Sequence, residues 1–162
     1  MTIQQLLNLA TQKLSQSKST SPLLDAEVLL SHLLDQPKEY LFTHADQILS
    51  PKLEREFKIR LNRRIKGWPV AYINNKKEFF GLSLFVNKNV LIPRPETEGL
   101  VELVLDKAKS QKNIKILDIG TGSGAIIISL AKILGISGNK FFASDISKKA
   151  LAVAQKNAKQ NS

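Results

Sequence analysis

The chain has 162 residues, is 43% apolar, and carries 24 basic against 14 acidic side chains for a net charge of +10. That is enough apolar material for one ordinary domain or two small ones. It has no cysteine, which excludes disulfides and thiolate metal sites. No apolar run approaches the roughly 20 residues that cross a bilayer, and Met1-Thr2-Ile3-Gln4-Gln5 lacks a signal-peptide pattern. A soluble, cytoplasmic protein drawn weakly to acidic partners is expected.

The first third reads as helices. Ile3, Leu6, Leu7, Ala10 and Leu14 recur at helical spacing, and the polar run from Ser15 to Ser21 closes that segment. Ser21 then caps a second helix with Pro22 at its first position and Leu23, Ala26, Leu30 and Leu33 or Leu34 as its apolar stripe. Pro37 precedes a short helix around Tyr40 to His44. Ser50-Pro51 opens a helix carrying Leu53, Phe57, Leu61 and Ile65, ended by Gly67 and Pro69. That helix is strongly basic: Lys52, Arg55, Lys58, Arg60, Arg63, Arg64 and Lys66. His32 and His44 have neither metal-ligand spacing nor a nucleophile partner, so they read as surface or capping residues, and Trp68 reads as a packing residue between domains.

From Val70 the period changes. Residues 79 to 86 suggest short strands around a turn, and the domain boundary is expected between about residues 75 and 90. Beyond it the pattern predicts a helix from about Glu96 to Ser110, a buried strand Ile114 to Ile119, a helix Ser123 to Leu134, a strand Lys140 to Ser144 and a helix after Ser147. That order is βαβα, the nucleus of a parallel sheet in an α/β fold.

The chemistry concentrates in Leu117-Asp118-Ile119-Gly120-Thr121-Gly122-Ser123-Gly124-Ala125, a glycine turn between strand and helix that can cradle a nucleotide-like cofactor. Gly120, Gly122 and Gly124 fit the GxGxG of S-adenosylmethionine enzymes, while Gly120, Gly122 and Ala125 fit the GxGxxG/A of dinucleotide binding. Asp145 ends the next strand, where two carboxylate oxygens suit a ribose diol. Asp118, inside the first strand, needs partners if buried.

A further segment, Ile92-Pro93-Arg94-Pro95-Glu96-Thr97-Glu98, combines with the upstream Arg64-x-x-Gly67-x-Pro69-x-x-Tyr72, with Asp25-Ala26-Glu27-x-Leu29-Leu30 and with the glycine turn. Over its whole length the chain resembles the release-factor glutamine methyltransferases, the HemK or PrmC family. The resemblance implies methyl transfer from S-adenosylmethionine to the side-chain amide of the glutamine in the GGQ motif of peptide chain release factors. It also implies that Gly120, Thr121, Gly122, Ser123 and Gly124 line the cofactor and that Asp145 holds its ribose. Arg94, Glu96 and Thr97 would wall the pocket.

By the same resemblance, residues 1–75 form a helical substrate-recognition domain and 76–92 a β-hairpin linker. Residues 93–162 start a Rossmann-like class I methyltransferase domain that is incomplete. The expected partner is a release factor; no membrane, metal or specific nucleic acid is expected, and the state is a monomer. Two departures stand out: Asn75 replaces a usual glycine, and the family's NPPY motif, whose asparagine grips the glutamine amide, is absent. No catalytic residue is therefore assigned. The chain is expected to be the front part of a longer protein, inactive alone, with apolar sheet surface left open. The rival readings are an adenine-N6 nucleic-acid methyltransferase, a non-catalytic adaptor that binds a release factor through the helical bundle, and, third, a nicotinamide enzyme.

Overall fold

A computed structural model describes residues 1–109 and 111–161. Its contacts divide the chain into two compact units, Met1–Asn74 and Asn75–Ser162. No helix among the described residues is long and apolar enough to cross a membrane.

The first unit is helical: α1 (Ile3–Ser15), α2 (Pro22–Leu34), α3 (Lys38–Thr43), α4 (Pro51–Ile65) and α5 (Val70–Asn74). Apolar residues three and four apart put Ile3, Leu6, Leu7, Ala10 and Leu14 of α1 on one buried face, which packs with Ala26, Leu29 and Leu30 of α2 and with Phe57 and Leu61 of α4. The start of α1 is closed by a capping box, in which Thr2 Oγ1 accepts from Gln5 N–H and Gln5 Oε1 from Thr2 N–H. On α2 the buried face turns toward Leu29, while Leu23 is 52% exposed, because a helix apolar on most sides does not dictate its own orientation. Ser21 stands at the N-cap but makes no side-chain capping bond. Instead, Asp25 Oδ2 receives Ser19 Oγ at 2.5 Å and Arg64 Nε at 2.6 Å, pinning α2 to α4.

The histidines fill local roles. His32 Nε2 hydrogen-bonds the carbonyl of Asn74 at 2.8 Å, tying α2 to the end of α5. His44 stacks on Tyr40 and caps α3.

The second unit holds an antiparallel hairpin, β1 (Lys77–Phe79) with β2 (Leu82–Leu84), then α6 (Glu98–Ala108), β3 (Lys115–Ile119), α7 (Ala125–Leu134), β4 (Lys140–Ser144) and α8 (Lys148–Asn161). β3 and β4 run parallel in register, Lys115 beside Lys140 and Ile119 beside Ser144. The hairpin expected as a linker contributes Phe79 and Leu84 to the core formed with Val101, Ala125 and Leu130. Its turn residues Phe80 and Gly81 both have positive φ, +50° and +72°, the twist that suits a two-residue hairpin. Asn75 is likewise left-handed at φ +52°, a conformation asparagine tolerates well.

Two helix starts differ from the sequence pattern. Pro95 to Thr97 forms a single 3-10 turn before α6, with Thr97 N–H bonded to Arg94 O, so the α-helix begins at Glu98. The end expected at Ser110 lies outside the described residues. α7 begins at Ala125 instead of Ser123 because Gly122 and Gly124 are left-handed, φ +55° and +81°, and a right-handed helix starts only after them.

Residues alternate across β3. Ile116 packs into the core, while Leu117 and Ile119, on the opposite face, are 58% and 80% exposed, and Phe142 beside Leu117 is 51% exposed. The sheet is therefore covered on one side and bare and apolar on the other.

Candidate functional site: a glycine turn at the carboxyl end of a parallel strand pair

The turn from Gly120 to Gly124 grows directly out of β3. Gly120 and Thr121 both donate their N–H to Ser144 O at the end of β4, at 2.8 and 2.9 Å, so the two strand ends fix where the turn begins. Thr121 Oγ1 donates to Asp118 Oδ2 at 2.7 Å, which gives the half-buried Asp118 a partner, and Gly124 N–H closes the turn on Thr121 O at 2.8 Å.

Asp145 meets the turn across the strand pair. Its Oδ2 accepts Gly122 N–H at 2.9 Å and its Oδ1 accepts Ser147 N–H at 2.8 Å. These two backbone donors, Ser147 first and Gly122 second, hold its carboxyl below the ordinary aspartate range. A carboxylate has about four acceptor positions, so two remain for a ligand's hydroxyl groups. Ser147 Oγ in turn accepts Ala150 N–H at 3.2 Å and opens α8.

The three glycines do different things. A Cβ on Gly120 would meet nothing within 4 Å, and one on Gly122 would meet only Gly120 O at 4.0 Å, so both face open space where a ligand could lie against the main chain. A Cβ on Gly124 would come within 2.7 Å of Ile128 Cδ1 and 3.2 Å of Ala154 Cβ. That glycine lets α7 and α8 approach each other.

Arg94 and Glu96 are exposed and Thr97 is half-buried. The segment is tied instead to the hairpin, where Glu98 accepts the N–H of the left-handed Phe80 at 2.8 Å. Sequence reasoning passed over two residues here. Ile146 follows Asp145 and is fully exposed, and an apolar residue next to the acidic strand end was the available signal. Asn157 is completely buried against the turn, a placement without a local signal.

In the first unit, the basic helix α4 sorts its charges. Lys58 pairs with Glu54 at 3.7 Å, Arg60 with Glu56 at 2.9 Å and Arg64 with Asp25 at 2.6 Å. Lys52, Arg55, Arg63 and Lys66 are exposed and, with Ile59, fall at helical spacing on the side opposite the buried Phe57 and Leu61. Arg63 lies 6.0 Å over the ring of Trp68.

Comparison with known proteins adds to what the glycine turn shows. Residues 5–74 match the PrmC N-terminal domain and residues 110–162 match a methyltransferase domain. A release factor glutamine methyltransferase of Vibrio cholerae is 49% identical over 131 residues, covering 81% of this chain and 46% of that protein. Those of Koribacter versatilis and Coxiella burnetii are each 40% identical, over 98% and 94% of this chain and 56% and 55% of their own. The chain is similar to the release factor glutamine methyltransferases along most of its length. It spans about half the length of the curated relatives it matches. A relative described as a bifunctional methyltransferase, from Rickettsia conorii, is 36% identical over 96% of this chain.

Proposed function

We propose that this chain carries the cofactor-binding turn and the substrate-recognition bundle of an S-adenosylmethionine-dependent enzyme that methylates the glutamine amide of peptide chain release factors. The observation that carries the reading is the glycine turn joined to Asp145 by the 2.9 Å hydrogen bond at the carboxyl end of β3 and β4, in a chain whose residues 5–74 match the PrmC N-terminal domain. Ligands of open parallel sheets bind at that end of the strands.

The residues present fit the cofactor. Gly120 and Gly122 leave room against the backbone, Asp145 keeps acceptor capacity for a ribose diol, and the exposed Ile146 beside it offers an apolar surface to a base. S-adenosylmethionine supplies an electrophilic methyl group; the chain's part is to hold that group's ribose and backbone-facing atoms in a fixed place. An amide nitrogen is a poor nucleophile, its lone pair being delocalised into the carbonyl, so transfer depends on orienting the amide. The chain contains no Asn-Pro-Pro-Tyr to do so. These 162 residues therefore bind without turning over, in a Rossmann-like, class I arrangement acting as a cytoplasmic monomer.

Recognition of the protein substrate falls to the bundle. The outward row of Lys52, Arg55, Arg63 and Lys66, with Ile59 at its centre and Trp68 at its end, presents cations around apolar area, a composition that favours an acidic protein face. Binding of the purified chain to a release factor, measured by interferometry, tests this. Binding that weakens at least tenfold when the four cations are reversed to glutamate supports it, together with an absence of methyl transfer from labelled S-adenosylmethionine. No binding, or binding indifferent to the reversal, contradicts the recognition role; measurable transfer contradicts the need for the missing motif.

A further inference from the structure

The buried side chain of Asn157 on α8 is 0% exposed, yet every polar atom of its amide is used. Its Oδ1 accepts the N–H of Phe85 at 2.7 Å, and its Nδ2 donates one hydrogen to Phe85 O at 2.9 Å and the other to Ser123 O at 2.8 Å. A primary amide has two donors and a carbonyl acceptor. This one spends them on backbone groups of two segments far apart in sequence.

We infer that Asn157 is the positioning residue of the glycine turn: it fixes the peptide plane between Ser123 and Gly124 and so sets the conformation in which the turn meets its ligand. Rotating that plane moves Ser123 O and Gly124 N–H together, and Gly124 N–H is the group that closes the turn on Thr121 O at 2.8 Å. Asp145 holds the turn from the other side at Gly122. The turn is thus clamped at consecutive residues by one side chain from the segment between β4 and α8 and one from the interior of α8. Helical spacing strengthens the second clamp, because Ala154 lies one turn before Asn157 on the same face and is the residue against which Gly124 closes. Phe85, the third point of the clamp, is held in addition by the Lys156 ammonium 3.4 Å over its ring.

A residue that merely filled space there could be apolar. Replacing Asn157 by an apolar side chain would leave Phe85 N–H and two carbonyl oxygens without partners, whereas an isosteric carboxylate would keep the Phe85 N–H bond and place negative charge against both carbonyls. The inference rests on the cofactor reading above for its functional consequence, but its structural core can be read without any ligand.

The test compares Asn157→Asp and the uncharged Asn157→Ser with Asn161→Leu, a control on the same helix that removes donors to Ser83 O and Asn157 O and leaves the turn alone. In the intact 162-residue chain, the amide resonance and hydrogen exchange of Gly124 are read by NMR against those of β3 and α7. Affinity for S-adenosylhomocysteine is read by calorimetry at a temperature where each variant is folded. Both Asn157 variants are expected to shift the Gly124 resonance, to speed its exchange at least tenfold more than that of β3 amides, and to weaken S-adenosylhomocysteine at least tenfold, with Asn161→Leu doing none of these. An unmoved Gly124 signal, or loosening spread evenly over β3, α7 and the turn, overturns the inference. If the wild-type chain shows no affinity for S-adenosylhomocysteine, the cofactor reading fails and the exchange data alone decide the role of Asn157. Should Asn157→Asp not fold, Asn157→Ser carries the same two outcomes.

Discussion

Changing Gly124 to alanine separates packing from ligand approach within one turn. At φ +81° an L-residue is strained, and a left-handed non-glycine residue costs about 1–2 kcal/mol. The new Cβ would also stand 2.7 Å from Ile128 Cδ1 and 3.2 Å from Ala154 Cβ, both buried, and overpacking of this kind costs about 1–3 kcal/mol. Alanine recovers about 0.4–1 kcal/mol by restricting the unfolded chain, so Gly124→Ala should destabilise the second unit by about 1–4.6 kcal/mol. Gly122→Ala has the same backbone problem at φ +55° but no neighbour nearer than 4.0 Å. It should lose only about 0–1.6 kcal/mol while interfering with ligand approach. The only Trp and both Tyr lie at positions 68, 40 and 72, so fluorescence does not report on the second unit, and residue-resolved hydrogen exchange of α7 and α8 in rising urea is the suitable assay. Equal destabilisation by the two substitutions would refute the assignment of Gly124 to helix packing.

Two further outcomes follow from the hydrogen-bonding pattern. Truncating Arg64 to alanine should destabilise the helical unit by about 1–3 kcal/mol, because the half-buried Asp25 carboxylate keeps only Ser19 as partner; urea unfolding followed by Trp68 fluorescence measures it, and a change below about 0.5 kcal/mol, the level of an exposed pair, would contradict it. Asp145 has a lowered folded pKa, so its carboxylate contributes stability that is complete above the unfolded value of about 3.9 and fades as pH falls through the folded value. The stability advantage of wild type over Asp145→Asn, followed by exchange in α8, should be flat from neutral pH to about 5 and decline progressively below about pH 4; an advantage that grows on acidification would reverse the assigned cause.

Much of this architecture is written locally. Ile3 to Leu14, and Phe57 with Leu61, announce their helices by spacing, and the parallel pair β3–β4 follows from an apolar strand, a glycine turn and a second apolar strand. What escaped depends on partners distant in sequence. α5 is five residues long and lies outside any periodic signal; it forms because Tyr72 and Ile73 donate to Pro69 O and Ile73 enters the core. Thr2 and Gln5 carried a readable capping box that went unread. Leu23 faces solvent because tertiary packing, not period, chose the face of α2. In the site, the turn and Asp145 are legible as residue types, while Asn157 and Glu98 are not, since their roles lie in bonds to the main chain of Phe85, 72 residues away, and of Phe80, 18 residues away.

The most direct test of the central claim, that the glycine turn and Asp145 form an S-adenosyl cofactor site, is chemical-shift mapping on the 162-residue chain titrated separately with S-adenosylhomocysteine and with NAD. The account predicts that S-adenosylhomocysteine moves the amide signals of Gly120, Gly122 and Asp145 first, that Asp145→Ala removes the response, and that NAD leaves those signals in place. Shifts at these residues with NAD and none with S-adenosylhomocysteine would contradict it.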